Sequence, residues 1–241
     1  VMIGYRISIL RHGRTEANEK GIYIGKTDLP LSEDGKEELR IKYQMHEYPK
    51  VERVYSSPLE RAIQSSEILF PDREITIVDD LREMDFGIFE GITVEDAVRL
   101  DTYKKWLKGG LDNPPPNGES LRSMMLRCYT SLDAIIKDMM KQGIVRAGIM
   151  THSGIMMNML SCFGLPKLKP MEFTCEVGEG FEILVTAMMW QNGNTFEILG
   201  KIPGGGAVGY SDDGQLMAED YRADYGNNRE DYFDFGENYD Q

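Results

Sequence analysis

The apolar residues of this chain follow two periods. Short runs bounded by turn residues read as buried strands, and longer stretches with apolar residues at three- and four-residue steps read as helices. Tyr5–Leu10 is the first strand. A helix starts near Ser32, an N-cap candidate, and runs toward Tyr48, where Pro49 stops it. Val51–Tyr55 is a second strand. Ser57-Pro58-Leu59-Glu60 combines a cap serine, a proline at the first helical position and a glutamate three residues after the cap, which predicts a helix from there to Leu69. Ile75–Val78 is a strand, and a short helix over Glu95–Leu107 opens an irregular stretch that carries Gly109-Gly110 and three successive prolines, 114–116. In the long helix from Leu121 to about Met140, Leu121, Met124, Cys128, Leu132, Ile135 and Met139 form one apolar stripe. Val145–Met150 reads as a strand and Ile155–Phe163 as a helix. Phe181–Trp190 and Thr195–Leu199 read as strands joined by a turn at Gln191-Asn192-Gly193-Asn194. This alternation, with no internal repeat, is the pattern of an α/β fold.

The pattern stops at Pro203-Gly204-Gly205-Gly206. The expected organisation is therefore a catalytic domain over 1–202 and a tail over 203–241. The tail has no Ile, and no Val after Val208, so it buries too little apolar surface to offset its ordering entropy. It reads as disordered or loosely docked, with Tyr221, Tyr225, Tyr232 and Phe233 keeping docking open. The tail also changes the meaning of the charge. The 241 residues carry a net −13, but residues 211–241 hold ten acids against two bases, a net −8, which leaves −5 for the rest. This balance disfavours a nucleic-acid binder and a protein held to anionic membrane by charge. Three cysteines without CxxC spacing argue against a disulfide framework or zinc site and for a reducing compartment. No apolar run approaches the ~18 residues of a membrane span. The first residues lack the features of a secretory peptide, so a cytoplasmic location is expected. Strand edges and fifteen methionines, read as a Met-rich surface, leave a homodimer open.

The candidate chemistry gathers at strand ends. Of three histidines, His12 follows the first strand in Leu10-Arg11-His12-Gly13, and His152 follows another in Thr151-His152-Ser153-Gly154. In open α/β sheets ligands bind at the carboxyl ends of the strands. His46, mid-helix among polar residues, reads as surface. Arg11 adjoins His12, and Arg61 falls in the first turn of the helix after the second strand, so both reach the same edge. Arginine stays charged and pairs with phosphate oxygens through two parallel donors. Two Arg and two His would make a cationic pocket on a mildly acidic body. Glu83, in Leu81-Arg82-Glu83-Met84-Asp85-Phe86-Gly87, can reach that edge or can sit in an exposed loop paired with Arg82. Lys26 and Arg14 read either as contacts to a second anionic group or as solvated surface charges. The stretch 92–120, with Tyr103 and Trp106, reads either as a wall for the leaving group or as plain packing.

These residues resemble the histidine phosphatase superfamily, also called phosphoglycerate-mutase-like. Arg11-His12-Gly13 with Thr15 and Asn18 is similar to its signature. The likeness continues in family order through Tyr23–Ser32, Ser56–Ala62, Leu81–Gly91, Asn117–Ser120 and Thr151–Gly154. The resemblance implies a three-layer α/β sandwich with a mostly parallel sheet flanked by helices. It also implies His12 as a nucleophile that forms a phosphohistidine. Arg11, Arg61 and His152 would hold the phosphoryl oxygens, Asn18 and Thr27 would join in substrate binding, and Glu83 would act as general acid and then base. No metal and no cofactor is implied. The substrate would be a small phosphorylated metabolite, because the block around Glu83 resembles the phosphatase branch, including phosphatases of α-ribazole phosphate, more than the mutases. A phosphoglycerate mutase and an inactive phospho-ligand-binding module are the alternatives.

Overall fold

A computed structural model describes residues 3–205. The expected tail, apart from its first three residues, lies outside the described residues. In chain order the elements are β1 (Gly4–Arg11), α1 (Glu16–Glu19), α2 (Glu33–Met45), β2 (Arg53–Ser56), α3 (Glu60–Leu69), β3 (Glu74–Ile77), α4 (Val94–Ala97), α5 (Asp101–Leu107), α6 (Leu121–Gln142), β4 (Arg146–Thr151), α7 (Ser153–Phe163), β5 (Gly164–Leu165), β6 (Gly180–Thr186), α8 (Ala187–Gly193) and β7 (Phe196–Ile202). The strands form one sheet in the order β3-β2-β4-β1-β6-β7-β5. The β3-β2, β2-β4 and β4-β1 pairs are parallel, β6 is antiparallel to both neighbours, and β5 pairs parallel with β7.

The sheet is covered on both faces, as its near-continuous apolar strands require. Successive side chains point to opposite faces, so Ile7, Ile9, Tyr55 and Ile149 belong to one apolar cluster and Leu10, Val54 and Met150 to another. The first cluster meets α6 and α7, and the second meets α2 and α3. The result is the expected three-layer α/β arrangement. The α6 stripe is buried from Leu121 to Met139, capped by the Ser120 hydroxyl at its start and by Gly143 in the left-handed region, φ 71°, at its end. Among the described residues no helix is long and apolar enough to cross a membrane.

Three elements and one surface differ from the sequence reading. The helix read toward Tyr48 ends at Met45, with His46 exposed at its C-cap, because Tyr48 turns inward and donates its hydroxyl to the Gly178 carbonyl at 2.8 Å. The helix read over Glu95–Leu107 breaks into α4 and α5, where Arg99 and Leu100 donate to carbonyls three residues back. The strand read to Trp190 ends at Thr186, whose hydroxyl caps α8 by accepting from the Met189 N–H; Trp190 then packs on Tyr129, ring centroids 5.8 Å apart, and donates to Asp133. Among the described residues the methionines do not form a surface: Met124, Met139, Met156, Met157 and Met159 are buried, and Met45 and Met188 are exposed.

Candidate active site

Three neighbouring parallel strands end side by side. Arg11 at the end of β1 stands opposite Thr151 at the end of β4, and Ser56 at the end of β2 stands opposite Met150. The ladder continues one residue further, with His12 N–H donating to the Thr151 carbonyl at 3.0 Å and Ser57 N–H to the Met150 carbonyl at 2.9 Å. His12, Ser57 and His152 therefore stand in a row at the carboxyl edge. Arg61 enters from the first turn of α3, and Glu83 from the loop after β3.

His12 is buried, and its Nδ1 lies 2.6 Å from the Gly13 carbonyl. A carbonyl only accepts, so Nδ1 carries the proton and the Nε2 lone pair is left as the nucleophilic position. Burial and then the charges of Arg61 and Arg11 push its pKa well below the ordinary 6.5. The ring stays neutral, as attack on phosphorus requires. The His152 ring lies edge-on to it, centroids 5.0 Å apart, and is also held well below 6.5, by burial first and Arg61 second.

Arg61 is 1% exposed and is aimed by backbone carbonyls: Nη1 donates to Thr27 at 2.8 Å and Nη2 to Gly25 at 2.6 Å. The loop bearing those carbonyls is organised by Glu90. Its carboxylate accepts from the N–H groups of Gly25, Lys26, Thr27 and Phe86 and from the Thr27 hydroxyl. A Cβ at Gly25 would stand 1.8 Å from the Met84 carbonyl, so only glycine lets this loop lie so close. Ser65 ties the two arms of the site, accepting from Gly13 N–H and donating to the Arg61 carbonyl. Arg11 donates Nη1 to the Cys175 carbonyl at 2.9 Å.

Glu83 is buried, not in an exposed loop, and Arg82 pairs with Asp80 instead. Its carboxyl accepts from Met84 N–H at 2.9 Å and from Gly154 N–H, in the first turn of α7, at 3.0 Å. A Cβ at Gly154 would fall 2.6 Å from the carboxyl oxygen. Burial raises its pKa and outweighs the two N–H groups, Arg61 and Arg127, which all pull it down. A carboxyl in that state can carry a proton to a leaving oxygen. The Glu83 loop is clamped by Arg127 of α6, which donates to the Asp80 and Arg82 carbonyls at 2.8 and 2.9 Å while pairing twice with Glu119.

A cavity opens over His12 and Glu83, lined also by Arg11, Asn18, Ile22, Tyr23, Ile24 and Ser153. Asn18 thus reaches the site. Its Oδ1 accepts from the Thr15 N–H and hydroxyl, which leaves its amide N–H₂ as the donor side. Thr27 is drawn elsewhere, with its hydroxyl on Glu90 and its carbonyl under Arg61. Lys26 and Arg14 are paired with Asp85 at 2.7 Å and Glu38 at 3.1 Å. Tyr103 and Trp106 are buried, and the Tyr103 hydroxyl is hydrogen-bonded to that of the lining Tyr23, so they support the wall from behind. Sequence reasoning missed Ser65, Glu90 and Arg127, and it misread Ser57. Helix α3 starts at Glu60 with Leu59 as its cap residue and no side-chain cap, because the Ser57 hydroxyl faces His152 Nε2 at 2.8 Å. Among the described residues, no group of three or more His, Cys, Asp or Glu is placed to hold a metal ion.

Comparison with known proteins finds relatives in sequence and in fold. Residues 7–179 match the family model of the histidine phosphatase superfamily, branch 1. The chain is 30% identical over 156 residues to phosphoglycerate mutase-like protein 4 of Arabidopsis thaliana, covering 62% of this chain and 66% of that one. It is 32% identical over 129 residues to the adenosylcobalamin/alpha-ribazole phosphatase of Salmonella typhimurium, covering 51% of this chain and 62% of that one. These matches span less than two thirds of the relatives' own lengths. The solved alpha-ribazole phosphatase from Shigella flexneri superposes with a TM-score of 0.66 at 23% identity, over 80% of this chain and 94% of that one, and shares the fold. With its matched span, its sheet and the strand ends that carry His12 and His152, the chain belongs to the histidine phosphatase superfamily.

Proposed function

We propose that this chain is a phosphomonoesterase that hydrolyses a small phosphorylated metabolite through a phosphohistidine on His12. The observation that carries the proposal is the state of His12: buried, neutral between two arginines, and with Nδ1 spent on the Gly13 carbonyl. In the first step the Nε2 lone pair attacks phosphorus, the ester P–O bond breaks, and Glu83 gives its proton to the departing oxygen. In the second, Glu83 as carboxylate takes a proton from water, the water oxygen bonds to phosphorus, and the P–N bond breaks to release phosphate. Arg11 and Arg61 neutralise the phosphoryl oxygens in both steps, and His152 and the Asn18 amide add donors. The charge a metal would bring is supplied by these side chains.

Hydrolysis is favoured over mutase transfer by the account of cations around the cavity. A phosphoglycerate carries a second anionic group, and the two further cations near the site, Arg14 and Lys26, are paired with Glu38 and Asp85. The wall of Ile22, Tyr23 and Ile24 suits a leaving group without charge. The relatives named as alpha-ribazole phosphatases point the same way. A phosphate-release screen over phosphorylated metabolites, with His12→Ala as the blank, tests the reading. Release by the wild type and none by the variant is expected. Rapid formation of 2-phosphoglycerate from 3-phosphoglycerate and a bisphosphate primer, without free phosphate, would establish the mutase instead. A wild type inactive across the panel would leave a phospho-ligand-binding module.

A further inference from the structure

We propose that Ser57 is a positioning residue that sets the tautomer of His152, holding the ring proton on Nδ1 so that this atom donates to the phosphoryl group. Donors and acceptors around the ring decide the tautomer. Ser57 and His152 are both fully buried. Among the described residues the Ser57 hydroxyl oxygen has two polar neighbours, the Leu59 N–H at 3.3 Å and His152 Nε2 at 2.8 Å. The Leu59 N–H can only donate, so it occupies a lone pair on the hydroxyl, and the hydroxyl hydrogen is free to point at Nε2. His152 Nδ1 is buried and has no partner among the described residues.

A neutral His152 has two tautomers. If Nε2 carried the proton, the serine oxygen would accept twice, its own hydrogen would have no acceptor, and Nδ1 would be a buried lone pair facing nothing. A phosphoryl oxygen could not relieve it, because that oxygen is itself an acceptor. If Nδ1 carries the proton, the Leu59 N–H, the Ser57 hydroxyl and Nε2 are all matched. One donor remains, Nδ1–H, on a ring whose centroid lies 5.0 Å from that of the nucleophilic His12 ring. Buried polar groups rarely stay unmatched, so the second arrangement prevails. The role in phosphoryl binding rests on the phosphatase reading; the tautomer itself does not. The position of Ser57 before Pro58 is consistent with this use. Pro58 has no N–H to offer the hydroxyl, and α3 begins only at Glu60, which leaves the serine side chain clear of helix capping.

Long-range ¹H–¹⁵N spectra of the full chain at pH 7, without substrate, read the tautomer of each of its three histidines, with His→Gln variants for assignment. The expected result is His152 protonated on Nδ1 and bare on Nε2, with the Nδ1–H signal moving on addition of inorganic phosphate. In Ser57→Ala the ring should become a mixture of tautomers, and kcat should fall on the order of tenfold with KM changed less. That is smaller than the hundred- to thousandfold cost of losing a transition-state donor outright. Wild-type His152 protonated on Nε2 overturns the proposal even if Ser57→Ala does not fold, and so does an unchanged tautomer in a folded Ser57→Ala. A chain that shows the Nδ1–H tautomer but releases no phosphate from any ester overturns the phosphatase reading alone.

Discussion

Glu83 sits between opposing influences. Burial favours its neutral form, while the N-terminus of α7 and two arginines favour its charge, and burial prevails. The carboxyl therefore holds its proton to higher pH than an exposed glutamate, and activity that needs the proton is lost as pH rises through the raised pKa. Replacing Glu83 by Gln should lower kcat/KM for alkyl phosphates, which reports the first step and not the later attack of water, by about 10²–10⁴. The loss should be much smaller for p-nitrophenyl phosphate, whose leaving group departs without a proton. Equal losses on both would remove Glu83 from the acid role. Much of the site was legible at this scale: Arg11, His12, Arg61, Glu83 and His152 follow strand ends in the sequence and meet at one edge in the structure. Ser57 was misread because a serine before proline and three residues ahead of glutamate has the spelling of a helix cap. Its partner, His152, is 95 residues away, and no local pattern announces a contact of that range.

The elements hold these residues through contacts that short-range patterns do not report. Arg127 lies between Met124 and Cys128 of the apolar stripe, and the period that predicted α6 said nothing of a guanidinium buried within it. In the structure it pairs with Glu119, the two side chains 9% and 12% exposed, and grips the loop of Glu83 by two carbonyls. Breaking a buried pair from one side costs about 3–5 kcal/mol, so Arg127→Met should lower Tm by roughly 6–20 °C in a domain of this size. Adding Glu119→Leu should recover most of that loss, but not kcat, since the Asp80 and Arg82 carbonyls still lack their donor. Calorimetry and turnover on the single and double variants separate the two effects. Glu90 escaped notice for the same reason as Arg127: its five donors come from two segments, and the sequence shows only a loop glutamate. The α8 error has a different origin. Phe181–Trp190 is apolar enough to continue as a strand, and one hydroxyl, that of Thr186, turns it into a helix.

For the molecule as a whole, a net charge of −13 coexists with a cationic site in which both histidines are kept neutral by burial and by arginine. This has a consequence for stability. Below pH 6.5 the unfolded chain takes up protons on His12 and His152 that the folded chain refuses, so the stability due to their neutrality is present at and above 6.5 and is lost as pH falls. The loss is at most ~1.4 kcal/mol per pH unit for each histidine. Glu83 acts in the opposite sense: its raised pKa penalises the fold as pH rises above the ordinary 4.5. Thermal unfolding followed from pH 7 to pH 5 should show Tm falling in the wild type and a flatter profile in His12→Asn/His152→Asn; an equally steep fall in the double variant would contradict the assignment. The proposed chemistry, however, is covalent. Phosphorus bonded to a ring nitrogen is stable to alkali and labile to acid, so the wild type, mixed with an excess of a turned-over phosphomonoester and quenched in alkali, should carry one phosphoryl group in a peptide containing His12. The label should be lost on acidification and absent from His12→Ala. Turnover without such a label, or a label on another residue, would contradict the account.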